Sequence, residues 1–97
     1  KSAWKDWCRM KLVALDEKGR RICIDTFFEA RYEFTENDEL KEETARKLRT
    51  LSRHKDDLAL FSEPYGSAHA LRVHGLECTY LIAFEVSDDA IFLKKLI

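Results

Sequence analysis

The sequence has very few of the residues that break or staple a chain. One proline and three glycines among 97 residues are too few for a disordered or low-complexity protein, and they predict long regular elements with short joins. No apolar run approaches the roughly 18 residues of a membrane span, and no segment has the form of a secretory signal. An excess of charge of one sign is also missing. The 17 lysines and arginines against 18 aspartates and glutamates leave a net charge of -1, so no global field draws the chain to nucleic acid, an anionic membrane or an acidic partner. A nucleic-acid site would have to be a local patch.

Cysteine is sparse as well: Cys8, Cys23 and Cys78 are odd in number, widely spaced and set among apolar residues. Nothing resembles a CxxC pair or a Cys/His pair at a metal-ligand spacing, so no metal is expected, and the thiols read as buried ones in a reducing cytoplasm. A reactive cysteine would need a cationic neighbour or a helix N-terminus, and neither is evident. The chain also has no glycine-rich phosphate loop, no paired-carboxylate motif and no Ser/His/Asp spacing, and hence no implied cofactor.

What is present bounds the chain to one domain, residues 1–97, with a single modest core. It opens on Lys1 rather than Met and ends abruptly after a strand-like run at Lys95–Ile97, as an excised or truncated domain would. CRMKLVAL leads to Asp16-Glu17-Lys18-Gly19 before RRICIDTFF resumes, which predicts a strand over Lys11–Leu15 and a hairpin turning at Gly19. Periodicity does not decide between helix and strand for residues 3–10, where Trp4, Trp7 and Cys8 have helical spacing, or for residues 25–34. From Asn37 to His54 a helix is predicted, because Leu40, Thr44, Ala45, Leu48 and Leu51 recur on one face. Thr35 and Asp38 have the form of a capping box, with acidic residues in the first turns and basic ones in the last. Pro64-Tyr65-Gly66 reads as the breaker between a helical and a sheet half.

The last third reads as a meander: HALRVHG, then LECTYLIAFEV, the turn SDD, and AIFLKKLI. The middle strand carries Cys78, Tyr80, Ile82, Phe84 and Val86 on one face and is nearly as apolar on the other, as a central strand under a helix should be. Alternation in the final strand sends Lys94 and Lys95 to opposite faces. The fold class is therefore α+β, an antiparallel sheet packed against one or two helices.

A helix ending in KLRTLSRH, a linker with Pro and Gly, then ALRVHG, TYLIAFEV and DDAIFLKK resemble the C-terminal half of the RelE/ParE/HigB superfamily of bacterial toxins. The resemblance covers roughly residues 43–95. It implies a twisted antiparallel sheet behind helices, and either ribosome-dependent, metal-independent mRNA cleavage or gyrase poisoning, masked by an antitoxin-like partner. On this resemblance Arg72 is the basic residue that contacts phosphate. Two features depart from the family: Leu81 follows Tyr80 where an arginine is usual, and the net charge is near neutral. RNA cleavage by 2′-hydroxyl attack needs a base, cations around the phosphate and an acid. Arg72, His74, Tyr80 and Lys94 are the candidate catalytic residues. His74 shares Arg72's face by alternation while His69 does not, and its ordinary pKa near 6.5 suits both proton steps.

Each residue also has a plain structural account. Arg72 can pair with Glu77 or Glu85, Tyr80 can be core, and the aromatics Trp4, Trp7, Phe27, Phe28 and Tyr32 can be either core or a partner face. Two functional classes follow: a toxin-type endoribonuclease or its degenerate relative, acting on RNA at the ribosome, and a non-enzymatic protein-binding module or regulator of phage or plasmid type. Both imply a protein partner, and the apolar surface would equally close a homodimer.

Overall fold

The computed structural model describes residues 11–87 and 90–97. Trp4, Trp7 and Cys8 lie outside the described residues. β1 (Lys11–Leu15) turns back antiparallel into β2 (Arg21–Ile22), as expected. Asp16 builds the turn, accepting hydrogen bonds from the amides of Lys18 (2.9 Å) and Arg20 (2.8 Å) and from Arg20 Nε (3.0 Å). Gly19 supplies the left-handed step at φ +79°.

The stretch that periodicity leaves open is helical: α1 (Ile24–Glu29) and α2 (Glu33–Glu36). A strand would send Phe27 and Phe28 to opposite faces, whereas a helical turn lets both enter one core. Phe27 meets Phe28 edge-on with ring centroids 5.1 Å apart, Phe28 meets Phe34 at 5.1 Å, and Phe34 meets Tyr80 at 5.2 Å. These phenylalanines are core and not a partner face, while Tyr32 is 71% exposed.

α3 (Asp38–Arg53) matches its predicted span, with Leu40, Thr44, Ala45, Leu48 and Leu51 buried. Buried Thr44 is satisfied by donating to the Leu40 carbonyl at 2.8 Å. The cap differs from the expected Thr35. The chain stays helical through Glu36, so Thr35 lies inside α2, and Asn37, extended at φ -95° and ψ 95°, caps α3 by accepting from the Leu40 amide at 3.1 Å.

After a 3-10 turn at Lys55–Asp57 and α4 (Leu58–Phe61) come β3 (Glu63–Tyr65), β4 (Ala68–His74), β5 (Thr79–Val86) and β6 (Ala90–Leu96). Pro64 and Tyr65 therefore belong to a strand and do not simply separate two halves. Among the described strands β3 is outermost, the position in a sheet that tolerates a proline's missing N–H, and Gly66 at φ +60° makes the tight turn into β4. The strand order is β2-β1-β6-β5-β4-β3. The α+β class holds and the C-terminal meander is antiparallel, but β1 lies parallel to β6, with Leu12 opposite Ile91 and Ala14 opposite Leu93.

Leu71, Val73, Tyr80, Ile82, Phe84, Ile91, Leu93 and Leu96 are buried in one core with the helices. Arg72 and His74 alternate to the second face. The expected separation of the two lysines fails. A register shift at Ala83/Phe84 interrupts the period of two: Leu93 pairs with Phe84 and Lys95 with Ala83, so Leu93 and Leu96 are both buried and Lys94 and Lys95 are both exposed. The expectation of buried thiols fails too for Cys23 and Cys78, both exposed, since Cys23 precedes α1 at its cap and Cys78 precedes β5 in a turn. Among the described residues, no helix is long and apolar enough to cross a membrane.

Candidate functional site

Among the described residues β3 covers β4 only as far as Ala70, which leaves the edge of β4 from Leu71 onwards without a paired strand. Here a hollow of about 380 Å³ is lined by Lys47, Thr50, Glu63, Arg72 and His74. Arg72 donates to Glu63 through both Nε (3.1 Å) and Nη2 (2.8 Å), a fork geometry that fixes the guanidinium. Glu63 is its partner in place of the expected Glu77 or Glu85, because β3 lies beside β4. The carboxylate pushes the Arg72 pKa further up. Lys47 reaches over from α3 to donate to the Arg72 carbonyl at 2.9 Å and stands 3.5 Å from Glu43. Exposed His74 sets Nδ1 3.2 Å from Thr79 Oγ1. Arg72 and His74 are thus brought together, as alternation predicts, and His69 stacks on Phe84 from the other face with centroids 5.7 Å apart.

Tyr80 and Lys94 do not join them. Tyr80 pairs with Val73, and its side chain is buried on the helix-covered face. Burial, then the hydrogen bond to Glu33, pushes its pKa up to about 12, so the phenol stays protonated and cannot serve as a base. Lys94 stands on β6, beyond β5, and is ion-paired to Glu85 at 3.2 Å.

Glu33 organises a second place. Its carboxylate accepts from the Leu76 amide (2.7 Å), Asn37 Nδ2 (2.9 Å) and the Tyr80 hydroxyl (3.0 Å). These bonds, the Leu76 amide first, hold the carboxyl below its usual pKa. They also tie α2 to the turn between β4 and β5. Between those two banks lies a groove of about 730 Å³, lined by Tyr32, Glu33, Glu36, Asp38, Glu39, Leu76, Glu77 and Cys78 among others. Leu76 is 85% exposed at its rim, and exposed Tyr32 is fixed by donating to Glu36 at 2.6 Å. Sequence reasoning passes over Glu33, Glu63, Leu76 and Glu77 as site residues. Leu76 alone carried a signal, being a large apolar residue at a turn between Gly75 and Glu77.

Among the described residues, no group of three or more His, Cys, Asp or Glu side chains could hold a metal ion. No family model, no curated protein and no solved structure matches the chain.

Proposed function

We propose that this chain is a non-enzymatic protein-binding module. The observation that carries the reading is the groove with Leu76 and Tyr32 exposed in its lining, because large side chains exposed around a concavity are what interfaces use as anchors. A further support is that the groups a phosphate-cleaving reaction would recruit are engaged elsewhere: Arg72 with Glu63, Lys94 with Glu85 and Tyr80 with Glu33. Exposed Cys23 and Cys78 fit a reducing compartment, and a cytoplasmic location is part of the proposal.

A second reading, a RelE/HigB-like mRNA interferase masked by an antitoxin-like partner, is favoured by one observation: Arg72 and His74 line the same hollow as Lys47. In it His74 takes the 2′-hydroxyl proton, and that oxygen closes on phosphorus to give a 2′,3′-cyclic phosphate as the P–O5′ bond breaks. Arg72, released from Glu63, steadies the phosphate charge, and the departing 5′-oxygen takes its proton from water. Inducible expression in a bacterial host separates the two. The native chain and an Arg72→Ala/His74→Ala variant are compared for growth and for integrity of cellular mRNA. Normal growth with intact mRNA in both is the expected outcome. Growth arrest with RNA cleavage that the double variant abolishes overturns the module reading and puts the interferase in its place.

A further inference from the structure

Resting on the module reading, we propose that the groove between α2 and the β4–β5 turn receives a basic segment of a partner protein, one apolar side chain of which seats between Tyr32 and Leu76. The apolar observation is exposure: Tyr32 and Leu76 are 71% and 85% exposed, and both line the same hollow. A partner that covers both removes large apolar surface from water, which favours docking. That gain is accessible because the groove is already built. Glu33 binds the two banks together through Leu76 and Tyr80, and the Tyr32 ring is held by Glu36, so little ordering is required of this side when a partner docks.

Charge decides the partner's chemistry. The lining carries Glu33, Glu36, Asp38, Glu39 and Glu77 and no lysine or arginine. The N-terminus of α3 opens here and contributes the equivalent of about +0.5 charge, which the carboxylates far outweigh. Glu33 is engaged by its three donors and Asp38 pairs with Lys41 at 3.7 Å, while Glu36, which accepts from the neutral Tyr32 hydroxyl, and Glu39 and Glu77 keep the lining acidic. These carboxylates are spread along the groove and not gathered, and no group among the described residues fits a metal ion. An extended cation matches that spread where a point cation does not. Lysine or arginine side chains flanking an apolar anchor therefore complement the surface, in a helix or an extended strand. Because the carboxylates are exposed, the attraction falls with salt over a Debye length of about 8 Å at physiological ionic strength.

The test is selection of peptides from a random library displayed on phage, with the full native chain as bait. The recovered peptides are then synthesised and measured by fluorescence anisotropy and by amide shift perturbation. Expected are peptides rich in Lys or Arg around an apolar residue, perturbing the amides of residues 32–39 and 76–78. Their affinity should fall about tenfold or more in Leu76→Ser and again in Glu36→Lys, and with added salt. Both variants alter exposed side chains and leave Glu33 in place, and unchanged thermal unfolding verifies that each is folded. Neutral or acidic peptides, or basic ones whose perturbations fall elsewhere, overturn the inference while the module reading stands. A dimer of the native chain that Leu76→Ser dissolves also overturns it, giving the groove to a second copy. Failure of the module reading itself is read separately, as RNA cleavage in the expressing host.

Discussion

Glu33 accepts hydrogen bonds from three segments, two of them 43 and 47 residues away in sequence. Its pKa is lowered in the folded state, so folding favours the charged form. The stability it contributes is therefore fully present above its usual 4.5 and is lost as pH falls through the depressed folded value. Asp16, lowered mainly by the Arg20 amide, acts in the same direction. In thermal unfolding from about pH 7 to about pH 3 the native chain should lose melting temperature on the acid side, and Glu33→Gln should show a shallower acid limb and a lower melting temperature at neutral pH. Equal acid limbs would remove Glu33 from this role. A second residue tests the same tie: a Cβ at Gly75 would fall on the Glu33 carboxylate, 2.8 Å from its Cδ. Gly75→Ala should cost about 1–3 kcal/mol in the native background and much less in Glu33→Ala, a coupling measured by a double-mutant cycle in urea. Additive effects would sink the coupling. None of this is legible in the sequence, because a glutamate before a phenylalanine carries no mark of which distant amide it will meet. Arg72 and His74 are a different case: alternation along one strand is local, and it puts both on one face.

At the scale of elements, legibility follows periodicity. α3 could be read because its buried stripe repeats over four turns, which few alternatives can mimic. Its start could not, since Thr35 and Asn37 are both good caps and the choice turns on α2, a single helical turn whose reason is the packing of Phe34 on Phe28 and Tyr80. Removing the true cap is the corresponding experiment. Asn37→Ala should destabilise the chain by about 1 kcal/mol in urea unfolding with an unchanged slope, while Thr35→Ala, at an exposed position, should fall within about 0.5 kcal/mol of native. The reverse order would return the cap to Thr35. β3 escaped notice because a proline argues against a strand, and only its edge position reconciles the two. The bulge in β6 escaped because strict alternation has no place for an extra residue, and one such residue moved Lys95 to the side of Lys94.

For the whole molecule, the feature hidden from the sequence is the neighbour of β1. Reading along the chain joins β1 to β2 and β4 to β5 to β6, but nothing local announces that the first strand lies parallel to the last, because that pairing is fixed by burial across nearly the full length of the chain. Its consequence is cooperativity. Ile91 is fully buried, pairs with Leu12 on one side and Val86 on the other, and stands in the same core as Leu48 and Phe28. Ile91→Ala should cost about 2–5 kcal/mol, the range for removing a buried branched side chain. Native-state hydrogen exchange would locate that loss. If β1 folds as one unit with the meander, its amides and those of β5 and β6 open together at the global free energy, and all fall by the same amount in the variant. The outermost strands β2 and β3 should exchange at lower free energies that change little. A β1 whose protection is low in the native chain and unmoved by Ile91→Ala would mean that the N-terminal strand is an appendage, and that the C-terminal meander with its helices is the cooperative fold.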